Sequence, residues 1–399
     1  MRELDYIIAQ YEKLRSQGIG SVLATVVHVE GSSYRRAGAR MLVDEFGNIT
    51  GAISGGCLEG DALRKALHAL HKQENKLIKY DTSDEDDAVI GAQLGCNGII
   101  QVLFEPMNYE DSLNPCELLK SVVAQKNSLA ISILFNLNRA KEQVGTVLLI
   151  DEDLNSSGKP LEKEILDLIL EQAQLTLETK RSHFAEFSIE GETQHLFIQN
   201  YQPLVKLIIV GAGNDAQVLA QQAELLGWDV IVTDGRPTHA NKQRFTSSCQ
   251  VIVTRPEQTL ENIEIDERSC FVLMSHNYNY DLAVLKLILA ENQIPYIGIL
   301  GPLKKYELMQ SDLEKEGIFL SKDNRNKIHA PIGLEIGAET PAEIGLSILS
   351  EIQSVLTQTN ARPLKEKSEP IHEKKKNQFK KVLTSSCPDA SGVSASHII

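Results

Sequence analysis

The chain opens with apolar residues at helical spacing. Ile7, Ile8, Tyr11 and Leu14 in "MRELDYIIAQYEKLRSQG" mark one face of an amphipathic helix. β-Branched runs then take over. "SVLATVVHVEG" (Ser21 to Gly31) predicts a strand entering the loop "GSSYRRAGAR", and "RMLVDEFGNITGAIS" predicts two short strands about a turn at Glu45–Asn48. "LEGDALRKALHALHKQ" returns to three- and four-residue spacing and reads as a helix. "KLIKYDTSDEDDAVIG" is a strand leaving into an acidic loop, and "NGIIQVLFEPM" is another strand. Between Asn108 and Gln202, "LAISILFNL" and "VGTVLLIDE" read as strands, the stretch Leu161–Leu177 as a helix, and "FSIEGETQHLFI" as a hairpin.

"YQP" (Tyr201 to Pro203) marks a change of architecture. "LVKLIIVGAGNDAQVLAQQAELLGWDVIVTDGRP" is a buried strand, a glycine turn, a helix and a second strand, the βαβ unit whose parallel strands need a crossover helix. Further strand-like runs lie at residues 251–254, 270–276, 296–301 and 318–321, with helical stretches such as "NYDLAVLKLILAEN" between them. The pattern predicts an α/β chain in three parts. An N-terminal mixed α/β domain covers residues 1–202, a Rossmann-like doubly wound parallel sheet covers 203–355, and a mostly disordered tail covers 356–399.

Composition narrows the class. The chain has 399 residues, too many for one core, with the 42% hydrophobic and 24% charged shares of an ordinary globular protein. No apolar run approaches the roughly 20 residues of a membrane helix, and the charged N-terminus lacks the apolar core of a signal peptide. The lack of such a run argues against a membrane partner, and six cysteines that match neither a disulfide framework nor zinc spacing point to a reducing cytoplasm. A net charge of −14 argues against nucleic acid as a partner. The charge is uneven: from Arg362 onward eight Lys/Arg face four Asp/Glu, a tail of +4 that leaves −18 on the rest.

Candidate chemistry falls in two places. In the second half, Gly211-x-Gly213-x-x-Ala216 follows a strand and opens a helix, the context of a dinucleotide fingerprint. Asp234 ends the next strand where a ribose-binding acid sits, and His276 ends a later strand at the ligand-binding edge. Asp215 stands against that reading, because a carboxylate in the first helical turn satisfies the dipole itself and repels a phosphate. An NAD(P)-dependent oxidoreductase using Gly211 and Gly213 therefore competes with a Rossmann-type domain that makes no tight use of nicotinamide. Thr340, Pro341 and Glu343 form a helix-start signature, which leaves the glycines of "APIGLEIGAE" unexplained and implies backbone close to a neighbour.

In the first half, "GAISGGCLEGD" sets Cys57 behind Gly55 and Gly56, and "QLGCNGII" sets Cys96 in similarly bare backbone. Cys57 also precedes a helix, whose N-terminus favours thiolate. A thiolate on open backbone can be a nucleophile, a soft-metal ligand or a sulfur acceptor, and two cysteines packed among turns is the plain alternative. Arg35, Arg36 and Arg40 precede the Cys57 segment in a glycine-bearing loop, as a phosphate receptor or as ordinary surface arginines.

Together, "EGSSYRRAGARMLVDEFGNITGAISGGCLEGD", "YDTSDEDDAVIGAQLGCNGIIQVLFEP", "LIIVGAGNDAQVLAQQAELLGWDVIVTDGRP", "MSHNYNYDLAVL", "YIGILGP" and "KIHAPIGLEIGAETPAEIGLSIL" resemble the xanthine dehydrogenase accessory (XdhC/CoxI) family over roughly residues 20–107 and 205–352. One departure is Ala92–Gln93, where the family pattern more often reads tryptophan-glycine. The resemblance implies a maturation factor for molybdenum hydroxylases rather than a turnover enzyme. Such a protein binds molybdenum cofactor, shelters it while a cysteine desulfurase supplies the sulfido ligand, and delivers it to the apo-enzyme; a homodimer is the family expectation. Carried onto this chain, the cofactor-binding motifs hold Cys57 and Cys96, as molybdenum or sulfur contacts, with Gly55, Gly56, Arg35, Arg36 and Arg40. The Rossmann-like half contributes Gly211, Gly213, Asp215, Asp234 and His276. Dithiolene sulfur makes the molybdenum centre soft, which suits thiolate, and the pterin phosphate suits arginine and glycine amides. The expected picture has both thiols flanking the molybdenum in a cleft between domains.

Overall fold

Burial on both faces of one strand sets up the first half of the fold. The computed structural model describes residues 2–31, 33–81, 98–123, 125, 127–189, 191–246, 249–367 and 380–383. They fall in two compact units that divide after Pro203, with the segment 380–383 counted in the first. Helix α1 (Arg2–Gln17) buries Ile7, Ile8, Tyr11 and Leu14, the stripe its spacing predicts. Strand β1 (Ser21–Gly31) then turns Val22, Ala24 and Val26 to one apolar cluster and Leu23 to another. A strand covered on both sides reads as the continuous apolar run seen in the sequence.

Around β1 stand β2 (Arg40–Asp44), β3 (Ile49–Gly51), β4 (Lys76–Asp81) and β5 (Gly98–Pro106), antiparallel in the order β3-β2-β1-β5-β4. Helix α2 (Glu59–Lys72) lays Ala62, Ala66 and Ala69 on the outer face of this sheet, against Met41, Val43, Val102 and Phe104. After α3 (Pro115–Val123), which no periodicity noted above announces, comes a second sheet of β6 (Leu129–Phe135), β7 (Gly145–Ile150), β8 (Ser156–Gly158), β9 (His183–Ile189) and β10 (Glu192–Tyr201). Helix α4 (Lys163–Thr179) covers its outer face through Leu168, Ile169 and Ala173. Val27, Leu77 and Leu103 of the first sheet share a core with Ile133, Phe135 and Phe197 of the second. The two sheets therefore pack face to face, with a helix outside each.

The second unit is the predicted doubly wound sheet. Strands β11 (Lys206–Val210), β12 (Asp229–Asp234), β13 (Gln250–Val253), β14 (Ser269–Leu273), β15 (Tyr296–Ile299) and β16 (Ile328–His329) pair in parallel in the order β13-β12-β11-β14-β15-β16. One face is covered by α5 (Asn214–Leu225) and α9 (Pro341–Leu356), the other by α6 (Tyr278–Ile288) and α7 (Leu303–Lys315). Thr340 caps α9 and Glu343 returns the bond to the Thr340 amide, as the signature predicts. The glycines before it do approach a neighbour: Gly333, at φ +99°, lies against Ser347 and donates its N–H to Glu351 at 2.8 Å.

One expectation needs correction. Residues 318–321 form no strand; Gly317 closes α7, and Ser321 caps the short helix α8 (Lys322–Lys327), so Ile318 and Leu320 join the core as irregular chain. In the tail, which composition predicts to be mostly disordered, the four residues of β17 (Lys380–Leu383) pair in parallel with β9. Among the described residues no helix is long and apolar enough to cross a membrane.

Gly211 and Gly213 play different parts in this fold. Gly211 sits at φ +115°, and a Cβ there would lie 2.5 Å from the Ser275 backbone, whereas Gly213 has φ −68° and room for a Cβ at 3.8 Å from His276. Gly211→Ala is expected to destabilise the protein by about 2–4 kcal/mol, and Gly213→Ala to stay within about 0.5 kcal/mol of wild type. Denaturant unfolding of the two variants checks the contrast.

Candidate functional site

The turn that carries Cys57 is built by Ser54 and Glu59. The Ser54 hydroxyl oxygen accepts the N–H groups of Gly56 at 3.2 Å and Leu58 at 3.1 Å, while the hydroxyl donates to Glu59 Oε2. Glu59 Oε1 in turn accepts the Ser54 N–H at 2.8 Å. Burial works against charge on Glu59, but the Ser54 hydroxyl and nearby amides outweigh it and hold the carboxyl below its ordinary value. This reciprocal clasp takes up the amides of the turn that leads into α2, whose N-cap residue, Leu58, offers no side-chain bond of its own. Cys57 comes between, half-buried, its Sγ 3.5 Å from Ser54 Oγ. Gly56 has φ +111° and open space where a side chain would stand.

The other described thiols differ. Cys116, Cys249 and Cys270 are buried, and burial pushes all three thiols up, Cys249 and Cys270 to about 12. Such thiols are inert at neutral pH. Cys96, and the acidic run after Asp81, lie outside the described residues.

The arginines separate. Exposed Tyr34 packs its ring over Gly55, where a Cβ would come within 3.2 Å of it. Arg35 Nη1 pairs with Glu3 at 3.1 Å, and the same carboxylate accepts the Ala52 N–H at 3.0 Å. Tyr34 and Arg35 thus stitch the arginine loop to the segment leading into Cys57. Exposed Arg36 stands beside them. Arg40 does not join the group. It is 5% exposed and shares its face of β2 with Leu42, whereas Met41 and Val43 face the cluster that Cys57 packs on. Strand alternation thus puts Arg40 between the two sheets. There it donates to the Gly38 carbonyl at 3.0 Å, and burial pulls its guanidinium down to about 10 despite the field of Glu105. An arginine so enclosed is not part of a surface phosphate receptor with Cys57.

In the second unit, Gly211, Gly213, Asp215, Asp234 and His276 gather at the carboxyl edge of the parallel sheet. Asp234 ends β12 as predicted, but its carboxylate is already occupied. It accepts the Ala212 N–H at 2.8 Å, the Arg236 N–H at 2.9 Å, Arg236 Nε at 2.9 Å and Arg236 Nη2 at 2.7 Å. Burial opposes its ionisation, yet the guanidinium and amides outweigh it and hold the carboxyl below its ordinary value. Gly213 is the N-cap of α5 and Asp215 lies in its first turn, as the spacing predicts. His276 is exposed, in left-handed backbone at φ +57°, with its ring beside Gly213.

Sequence reasoning missed Tyr34, Ser54, Glu59 and Arg236. Ser54 and Glu59 flank the glycines five residues apart, wider than a capping box, so only their polarity beside the turn was a signal, and Arg236 follows Asp234 by two. Nothing in the sequence pairs Tyr34 with Gly55. As a donor set, the Cys57 turn fits a soft, sulfur-rich group: it offers a thiol on open backbone, an aromatic ring and a basic loop. Among the described residues no cluster of three or more His, Cys, Asp or Glu could hold a metal ion.

The geometry defines a class first: a two-sheet sandwich bearing a thiol on a glycine turn, joined in one chain to a Rossmann-type unit. Comparison with known proteins then gives the family. Residues 14–81 match the model of the XdhC and CoxI family, and residues 207–352 that of the XdhC Rossmann domain. The chain is 32% identical over 341 residues to a protein of Bacillus subtilis (strain 168) named as a probable xanthine dehydrogenase subunit, spanning 83% of this chain and 92% of that one. It is 25% identical over 338 residues to the molybdenum cofactor insertion chaperone PaoD of Escherichia coli (strain K12), covering 85% and 84%. The crystal structure of a xanthine dehydrogenase from Bacillus halodurans superposes with a TM-score of 0.68 at 28% identity, covering 90% of this chain and 98% of that one. This chain belongs to the XdhC and CoxI family.

Two outcomes follow from the geometry. A small thiol reagent added to the native protein is expected to modify Cys57 well before Cys116, Cys249 or Cys270, which react only on unfolding; peptide mass mapping over time reads this. Asp234→Asn is expected to cost about 1–3 kcal/mol at neutral pH, since one carboxylate oxygen becomes an amide facing donors. The folded Asp234 carboxyl titrates below its unfolded value, so its contribution is present above about pH 4 and is lost as pH falls through the folded value. The Tm gap between wild type and Asp234→Asn should close over that acidic window.

Proposed function

We propose that this protein is a maturation chaperone for a xanthine dehydrogenase-type molybdenum hydroxylase, with molybdenum cofactor as its cargo. The observation that carries the reading is Cys57, the one described thiol that is not buried, held on open glycine backbone by the Ser54–Glu59 clasp. Membership of a family that includes a protein named as a molybdenum cofactor insertion chaperone supports the same role. The cargo's dithiolene sulfur and soft metal suit a thiol contact. Its flat pterin suits the exposed Tyr34 ring, and its phosphate suits the loop of Arg35 and Arg36.

In this reading the turn shelters the cargo while a cysteine desulfurase supplies sulfur, and the protein, as a homodimer, then hands the cargo to the apo-enzyme. Cys96 serves as a second sulfur contact. Arg40 has a structural part only. A nicotinamide oxidoreductase is the lesser reading: beyond the Gly211 turn and His276 it needs an acid for the ribose diol, and Asp234 is already filled.

The test is elemental and optical. Protein made in a host that synthesises the cofactor should copurify with molybdenum and release a fluorescent pterin on denaturation. Cys57→Ser is expected to lose at least about 90% of both while keeping the wild-type Tm within a few degrees. Equal molybdenum and pterin in wild type and Cys57→Ser would remove Cys57 from cargo binding.

A further inference from the structure

We propose that the cavity at the carboxyl edge of the parallel sheet receives the phosphate of a phosphorylated ribonucleotide, and that Arg236 is the residue that selects it. The cavity has a volume of about 600 Å³ and is lined by Asp234, Gly235 and Arg236 on one side and Ser275, His276 and Asn277 on the other. That is the size of a small-molecule site. It lies where β12 and β14 flank β11, the point at which strand order reverses and such sheets bind ligands.

The state of Asp234 decides what can enter. Its two oxygens accept four donors, all from Ala212 and Arg236, so neither is left for the hydroxyls of an unmodified ribose. Arg236 is the other half of that arrangement. A guanidinium has five N–H donors; two go to Asp234, which leaves three on a side chain 48% exposed and already fixed in direction. An arginine anchored along one edge and open along the other is suited to a phosphate.

The opposite wall is also prepared for an anion. Helix α6 begins there, its N-terminus capped by Asn277 through the Tyr280 N–H. The acid in its first turn, Asp281, is buried and neutralised by Lys305 at 2.7 Å. Asp281 also accepts from the Ser275 hydroxyl at 2.5 Å, which ties down the residue before His276. Left-handed backbone at a histidine is unfavourable and persists only when its surroundings impose it. Ser275, Asp281 and Lys305 supply that constraint, and His276 thereby faces the cavity.

The test is calorimetric titration of the purified full chain with NADP+ and with NAD+. The two differ by one phosphate on the ribose 2′ position, and both carry the pyrophosphate that Asp215 opposes, so its effect cancels. NADP+ is expected to bind about tenfold or more tightly, and inorganic phosphate should compete with NADP+. Arg236→Gln should abolish the preference for NADP+ and, because it frees Asp234 for the ribose diol, leave NAD+ bound as tightly as in wild type or more tightly. Should Arg236→Gln misfold, Arg236→Lys, expected to keep part of the preference, and the wild-type comparison still decide. Equal affinities, a preference for NAD+, or no binding of either would overturn the proposal. Cys57→Ser should bind NADP+ as wild type does, which separates this site from the cargo reading.

Discussion

The clasp between Ser54 and Glu59 is the constraint on which the functional account depends. Without it, two glycines and a cysteine before a helix would be a floppy linker. With it, the Gly56 and Leu58 amides are spoken for, the start of α2 is fixed, and the Cys57 sulfur is held at a surface it would otherwise leave. The glycines then have a definite purpose. Gly56 takes a left-handed conformation that a side chain would resist, and Gly55 gives Tyr34 a place to lie. A half-buried sulfur is thus kept accessible by the backbone of its turn.

The Rossmann-type unit uses the same logic at another edge. Gly211 lets the end of β11 run against the backbone at the end of β14, and no residue with a Cβ fits that approach. The space beyond is shaped by two charge pairs, Asp234 with Arg236 and Asp281 with Lys305, each of which neutralises an acid in or behind the cavity wall. Buried carboxylates that are fully hydrogen-bonded cost little and specify geometry. Here they turn an edge that the sequence marks as acidic into one that presents donors.

Much of this was legible beforehand, and the failures have physical causes. The parallel sheet was readable because glycine turn, apolar strand and helix period agree over the whole of β11, α5 and β12. The N-terminal elements were readable one by one, but not their stacking into two face-to-face sheets, since alternation shows that both faces are apolar and not what covers each. Arg40 misled because a charged residue beside two others looks like surface; only the register that puts it on the face of Leu42 shows it to be buried. Residues 318–321 misled because four apolar-rich residues serve a core as well in irregular chain as in a strand. Asp234 was placed correctly, yet its availability hinged on Arg236, a partner that a motif does not name.

The most direct test of the central claim is the position of the metal. Anomalous scattering at the molybdenum edge, measured on crystals of protein loaded with cofactor, locates it without reference to activity. The account predicts a molybdenum peak beside the Cys57 sulfur, with the Tyr34 ring against the pterin. A peak elsewhere on the molecule, with the Ser54–Glu59 turn unoccupied, would contradict it.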